Sequence, residues 1–333
     1  MTAESSSATP ITDDDPFAEL VNRLSAELEG RVQRNAPLGA ITTYRVGGSA
    51  ALMVTPHDFH ELLRAAQIIA EYNVRVLTVG RGSNMLVADT GFNGVVIHPQ
   101  GDFDFIRFDA TQAGTHVQAG SAALLPVVAR RTVSEGLTGF EWAVGVPGSM
   151  GGAVRMNAGG HGSDMAASVV SVATINLRSG EFLEMTPARL NFGYRTSALT
   201  NDDCVVSVTL RLASRDSAEP PESGSDLLSE IASWRREHQP GGQNAGSVFT
   251  NPPDDSAGRL IDSCGLKGLR VGTAQVSTKH ANFIQADVDG RAADIHQLMN
   301  QIIHQVHAET GVRLHPETHL VGFGQNEDTE ATS

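Results

Sequence analysis

Seven glycines fall between Gly145 and Gly162, in the runs Gly145-Val146-Pro147-Gly148-Ser149-Met150-Gly151-Gly152-Ala153 and Asn157-Ala158-Gly159-Gly160-His161-Gly162. A segment so poor in side chains gives up backbone entropy when it orders, and its natural use is close approach of backbone to a large flat ligand. A flexible linker would be rich in serine and charge, whereas Val146, Met150, Val154 and Met156 read as buried positions. A shorter loop, Gly80-Arg81-Gly82-Ser83-Asn84-Met85, comes after a strand expected over Val74–Val79. It lacks the third glycine of a dinucleotide fingerprint, and the residues after it read as β-structure rather than helix. Alone it is a hairpin turn. Beside the second loop it reads as a nest of N–H groups, helped by Ser83 and Asn84, that cradles a pyrophosphate. Two such loops on two α+β units imply a dinucleotide held between them.

The remaining sequence fits that frame. With 333 residues, 40% hydrophobic and 19% charged, the chain is long enough for two or three well-buried units of a soluble globular protein. A net charge of −14 argues against nucleic acid as a partner, since phosphate backbones need a basic face. Met1 to Pro16 is rich in Ser, Thr and Asp, lacks the apolar core of a signal peptide, and is expected to be a disordered tail, as is 325–333. No apolar run is long enough to span a bilayer, so no membrane insertion is expected. The two cysteines, Cys204 and Cys264, fit a reducing cytoplasm, with both thiols buried rather than bridged.

Along the chain, a first unit over 17–99 carries a helix over Pro16–Glu29 and another over Asp58–Tyr72, with Asp58 as cap and Glu61 completing a capping box. A second unit, 100–213, has strands near Phe103–Phe108 and Thr115–Ala119, a helix over Ala122–Glu135, a hairpin turning at Arg178-Ser179-Gly180 and a strand over Cys204–Leu212. Ser214–Gly224 reads as a linker. A third unit, 225–324, has helices over Ser225–Glu237, Ser256–Cys264 and Asp294–Thr310, the last closed by Gly311, and a final strand over Val312–Leu320.

Three polar residues stand out against bland alternatives. Arg195 has the sequence of a surface ion pair, Ser247 that of a turn residue, and Glu317 that of a strand carboxylate paired to a lysine. Together, in a chain that binds a redox cofactor, they fit proton donation to a carbon beside a stabilised anion. His315, Glu317 and His319 could share one face of a strand and hold a metal, but Pro316 and the lack of a second ligand cluster count against it, and no metal is expected. Arg235, Arg236, Lys267, Arg270, Lys279 and His280 give the acidic chain a local basic patch suited to a phosphorylated or carboxylated substrate.

These motifs, in order, resemble the UDP-N-acetylenolpyruvoylglucosamine reductase family. The matching runs are Thr43-Tyr44-Arg45-Val46-Gly47-Gly48, the two glycine loops, Phe192-Gly193-Tyr194-Arg195-Thr196-Ser197, Ala245-Gly246-Ser247-Val248-Phe249-Thr250-Asn251-Pro252, Gly265-Leu266-Lys267-Gly268 and Ser277-Thr278-Lys279-His280-Ala281-Asn282-Phe283. The resemblance implies an α+β fold: a two-domain FAD-binding unit of the vanillyl-alcohol-oxidase type plus a C-terminal α+β substrate domain. It implies non-covalent FAD, NADPH as co-substrate and UDP-N-acetylglucosamine enolpyruvate as substrate, in a cytoplasmic monomer. It assigns Arg195, Ser247 and Glu317 as catalytic. It assigns cofactor contacts to Tyr44, Arg45 and Gly47, to Gly80, Arg81, Gly82, Ser83, Asn84 and Met85, and to Gly145, Pro147, Gly148, Ser149, Gly151, Gly152, Asn157 and Gly159. Substrate contacts fall to Tyr194, Arg236, Asn251, Lys267 and Lys279. Thr250 stands where relatives often carry lysine and His315 where they often carry a first glutamate, and no tyrosine comes after Tyr194, which resembles the shorter subtype without a tyrosine lid. An FAD-linked oxidoreductase acting on another small molecule, or a catalytically silent nucleotide-sugar-binding flavoprotein, are the alternatives; neither requires all three polar residues together.

Overall fold

Helices form where the sequence caps them. In a computed structural model, which describes residues 16–111, 114–215 and 223–324, Phe59–Ala70 turns Leu62, Ala65, Ala66, Ile68 and Ile69 inward. The Asp58 carboxylate accepts from the Glu61 N–H at 2.9 Å, as a cap should. The reciprocal half of the capping box is displaced by one residue: the Glu61 carboxylate accepts from the His57 N–H at 2.6 Å, and Arg31 grips the same carboxylate at 3.2 Å. The longest helix, Ala292–Thr310, buries Ile295, Leu298, Met299, Ile302 and Val306 and ends on Gly311, whose φ of +75° is the left-handed cap that glycine adopts without strain. Its first turn rests on the Asp89 carboxylate, which accepts from the Ala292 and Ala293 N–H groups at 2.9 and 3.0 Å. A negative charge there meets the positive helix end.

Three sheets carry these helices. Val32–Ala36, Ala50–Val54, Phe92–Ile97 and Val76–Thr78 form a four-stranded sheet in that order, the last three strands parallel. Its face packs against Phe59–Ala70 and the helix Ala18–Glu27. A six-stranded antiparallel sheet runs Phe182–Met185, Val169–Asn176, Asp203–Ser214, Gly114–Gly120, Ile106–Thr111, with Leu137–Thr138 added to the end of Asp203–Ser214. The third sheet is Arg270–Val271, Ala274–Val276 and Ile284–Ala286.

The cores of these layers interlock. Ile175, Leu177, Cys204 and Val206 from the six-stranded sheet share a core with the first helices. Tyr44, Val46 and Leu86 are buried with the long helix and the third sheet. The helix Ser223–His238 puts Leu228 and Ile231 into the core of the six-stranded layer, against Val144 and Leu212.

Several expectations change. Val312–Leu320 is mostly irregular, and only His319–Val321 is a strand; it pairs in parallel with Met85–Val87, so the loop after Gly80 leads into a strand that the far end of the chain completes. The Thr250 N–H donates to the His315 carbonyl at 3.0 Å and the Glu317 N–H to the Val248 carbonyl at 2.7 Å, which pairs Phe249 with Pro316 in a single isolated bridge. His315, Glu317 and His319 therefore do not share a strand face. Phe103 lies in a short 3-10 turn, Gly101–Asp104, ahead of its strand. Cys204 is fully buried, and burial pushes its thiol up to about 12, which makes it inert, but Cys264 is only partly buried. The tails before Pro16 and from Gln325, and linker residues 216–222, lie outside the described residues.

Candidate active site

The two glycine loops meet through a missing side chain. A Cβ on Gly80 would lie 2.1 Å from the Ser149 Oγ, so only glycine lets the first loop touch the second. Gly82, at φ +60°, takes the left-handed turn that exposes successive N–H groups, and its neighbours Ser83 and Asn84 line the same cavity of about 560 Å3. That size suits a small-molecule site. The Ser149 Oγ and the Trp142 Nε1 line this cavity, buried and without a hydrogen-bond partner among the described residues. Each orphaned group costs roughly 1–3 kcal/mol until a ligand meets it.

The opposite wall is braced by one asparagine. The Asn282 side chain, 4% exposed, accepts from the Phe249 N–H at 3.0 Å and donates to the Phe249 carbonyl at 2.8 Å. The Val248 N–H donates to the Asn282 carbonyl at 2.9 Å. These bonds fix the chain just after Gly246, whose φ of +79° turns Ser247 into the cavity wall. The Glu317 N–H in turn donates to the Val248 carbonyl at 2.7 Å, and the Asn84 amide donates to the Glu317 carbonyl at 2.9 Å. One run of hydrogen bonds thus links the first glycine loop, Glu317 and the Ser247 segment. Replacing Asn282 by alanine strands both polar groups of Phe249. We expect a loss of roughly 1–3 kcal/mol for each, measurable by urea unfolding; an unchanged midpoint would show that the segment is held by something else.

Arg195 and Glu317 meet at that wall, with Nε 3.0 Å from Oε1. The approach is close but not an aligned hydrogen bond: among the described residues the buried Nε–H has no aligned acceptor, while Nη2 donates to the Gly159 carbonyl at 3.2 Å. Arg195 holds φ at +59°, a strained backbone for a residue with a side chain. Burial pushes the Glu317 carboxyl above the usual carboxylate range; Arg195 pulls the other way without cancelling it. A carboxyl poised this way beside a guanidinium can exchange a proton with a reacting group.

Of the residues expected at a cofactor, Gly80, Arg81, Gly82, Ser83, Asn84, Met85, Pro147, Gly148, Ser149, Gly152 and Gly159 line the cavity. The others do not line it. Tyr44 is fully buried in the core beneath the long helix, Arg45 is exposed, and Gly47 abuts the Val87 carbonyl, where a Cβ would sit 2.1 Å away. Gly145 lies under the stem of Arg235. The Gly151 N–H donates to the Ser121 carbonyl at 2.9 Å. Asn157 donates to the Gly193 carbonyl at 2.9 Å and so holds the turn that carries Arg195.

None of the five residues expected at the substrate lines the cavity. Tyr194 is 60% exposed, with the Arg195 guanidinium 5.4 Å from its ring centre. Arg236 points outward and donates to Ser233 at 2.8 Å. Asn251 accepts from the Ala257 N–H at 3.1 Å, Lys267 pairs with Asp262 at 2.7 Å, and the Lys279 ammonium donates to the Arg236 carbonyl. Arg235 and Gln239 line the cavity instead. Their signal lay in helical spacing: Arg235 follows the buried Leu228 and Ile231 at intervals of three and four, and Gln239 continues the interval just past the helix end.

The frame and the loops define a class. A family model described as "FAD binding domain" matches residues 50–186, the stretch that holds both glycine loops. A second, described as "UDP-N-acetylenolpyruvoylglucosamine reductase, C-terminal domain", matches residues 238–321, the stretch that holds Ser247 and Glu317. The protein is an α+β flavoprotein oxidoreductase. Among similar proteins, a UDP-N-acetylenolpyruvoylglucosamine reductase of Symbiobacterium thermophilum is 39% identical over 92% of this chain and 97% of its own. One of Syntrophotalea carbinolica is 40% identical over 91% of this chain and 98% of its own. The crystal structure of the Thermus caldophilus reductase superposes with a TM-score of 0.74 at 36% identity, over 87% of this chain and 99% of that one. The chain belongs to the UDP-N-acetylenolpyruvoylglucosamine reductase family.

Proposed function

We propose that the protein is an NADPH-dependent flavoenzyme that reduces UDP-N-acetylglucosamine enolpyruvate to UDP-N-acetylmuramate for peptidoglycan precursor synthesis. The observation that carries this reading is convergence: Arg195, Ser247 and Glu317 line the same cavity as both glycine loops. The residues present fit FAD. The bare backbone at Gly80, the nest at Gly82 to Asn84 and the unsatisfied Ser149 hydroxyl are what a pyrophosphate needs. When bound, FAD supplies the hydride chemistry that connects NADPH to the enolpyruvyl double bond.

The chain's own residues do the rest. Hydride addition leaves negative charge at the carbon that bears the substrate carboxylate. The Arg195 guanidinium stabilises that charge. The Ser247 Oγ–H gives its proton to that carbon, and the fixed turn at Gly246 sets its direction. Glu317, held neutral or sharing a proton by its burial, completes the hydrogen bonding around the anion. We further infer that the protein acts in the cytoplasm, as a monomer; no helix among the described residues is long and apolar enough to cross a membrane.

The test uses the two half-reactions. Purified protein is expected to be yellow, to bleach anaerobically with NADPH, and to recover its colour when UDP-N-acetylglucosamine enolpyruvate is added. Bleaching without recovery on that sugar would favour an FAD-linked enzyme acting on another molecule. Gly148→Val gives a separate check on the cradle. A Cβ at Gly148 already stands 3.3 Å from Leu125 Cδ1 and 3.6 Å from Ser83 Oγ, so the added methyls must enter the cavity. We expect FAD content to fall while far-ultraviolet circular dichroism is unchanged. Full flavin content in that variant would remove this loop from the cofactor site.

A further inference from the structure

Four arginines line the main cavity: Arg81, Arg155, Arg195 and Arg235. Three are accounted for. Arg155 donates to the Leu199 carbonyl at 3.1 Å and to Asn201 at 3.0 Å. Arg195 faces Glu317, and Arg81 is exposed to solvent. Arg235 differs from all of them. It is partly buried, burial works against its charge, and its side chain has no hydrogen-bond or ion-pair partner among the described residues. Glu230 and Glu237 lie on the same helix, and neither pairs with it. A guanidinium withdrawn from water without an anion is costly, and an incoming anionic group returns that cost.

The placement narrows which anion this is. The Arg235 stem lies across the bare backbone of Gly145: a Cβ there would meet Arg235 Cδ at 2.7 Å and Nη1 at 3.4 Å. One turn on, Gln239 lines the cavity, and the chain then runs into Ala245, Gly246 and Ser247 on the same wall. The neighbouring Trp234 ring meets His161 edge-on at 5.3 Å, two residues past the Gly159 carbonyl that Arg195 grips. Arg235 therefore lines the same cavity as Ser247 and Arg195, and among the described residues it has no counter-ion of its own.

We propose that Arg235 is the counter-charge for the negative charge that FAD gains on reduction, and that it sets the reduction potential of the bound cofactor. This rests on the FAD-dependent reading above. In the first half-reaction the C–H bond of the dihydronicotinamide breaks. NADPH leaves as NADP+, and its two electrons and one proton stay with the cofactor as one added unit of negative charge. A cation that faces that charge stabilises the reduced form over the oxidised one, which is one of the means by which a protein tunes a flavin. Arg195 is less suited to this task because its side chain is already engaged by Glu317 and the Gly159 carbonyl.

The experiment measures the two-electron midpoint potential of FAD-loaded wild type, Arg235→Gln and Arg235→Lys, alongside the dissociation constant of oxidised FAD. Removing the charge is expected to weaken binding of reduced relative to oxidised cofactor by about tenfold, which is a potential lower by about 30 mV for a two-electron couple. The lysine variant should recover most of that shift, with oxidised FAD bound nearly as in wild type. An unchanged potential with both redox forms bound equally more weakly would make Arg235 a pyrophosphate ligand and overturn the proposal. An unchanged potential with a raised KM for the UDP-sugar alone would make it a substrate-phosphate residue, with the same result. A variant-free arm acidifies the reduced wild type. Its spectrum should keep the anionic form, and early appearance of the neutral reduced form would also overturn the idea. A wild type that is colourless or not bleached by NADPH fails as a flavoenzyme; a yellow, bleachable protein whose potential ignores Arg235 fails only here.

Discussion

Ser247→Ala is expected to leave anaerobic bleaching by NADPH nearly intact and to slow reoxidation by UDP-N-acetylglucosamine enolpyruvate by about 10²–10⁴-fold, the usual worth of a positioned acid. The asymmetry arises from where protons are needed. Reduction of the cofactor requires none at the sugar, whereas product formation requires one at the carbon next to the newly formed bond. The substitution should not disturb the fold. Val248 and Phe249 anchor the segment by bonds to Asn282 that do not involve the serine side chain. Stopped-flow traces of the two half-reactions decide the matter: equal losses in both would make Ser247 a structural residue.

The second large effect concerns Glu317. Its side chain can be changed without moving its backbone, whose N–H and carbonyl are held by Val248 and Asn84. Burial raises its carboxyl above the ordinary value, so the neutral form persists to higher pH than a free glutamate would allow. A group that acts while protonated works below its pKa and fails as pH rises through it. The reoxidation half-reaction of the wild type should therefore decline on the alkaline side. Glu317→Gln keeps the shape and a donor, and should retain more activity than Glu317→Ala while losing that alkaline decline. If glutamine and alanine are equally inactive and bleaching by NADPH is normal, the ionised carboxylate is what matters, as the Arg195 contact at 3.0 Å would then explain.

Features written in local chemistry were legible in the sequence. Asp58 before an amphipathic run and Gly311 after one mark helix ends because caps act within a turn. The glycine loops were legible because nothing but a nearby backbone or ligand explains so many absent side chains, and Gly80 against Ser149 is such a case. Long-range features were not. The complete burial of Tyr44 is one of them, since it depends on the distant helix Ala292–Thr310. The basic patch named Arg235 and Arg236 alike, because charge alone does not tell which of two neighbours faces a cavity, and a helix places adjacent residues about 100° apart. The strand expected over Val312–Leu320 shrank to His319–Val321 because the strand it pairs with, Met85–Val87, is distant in the chain and meets only that end.

The parallel pairing of His319–Val321 with Met85–Val87 bears on how the molecule can be re-engineered. It makes the FAD-binding portion a poor cassette. Cutting the chain between Arg215 and Ser223 would strip Asn84 of its grip on the Glu317 carbonyl and remove Leu228 and Ile231 from the core beside the second loop. Chimaeras that exchange C-terminal portions between relatives must therefore carry the residue 84–87 and 317–321 segments as a matched set, however far apart they lie in the gene.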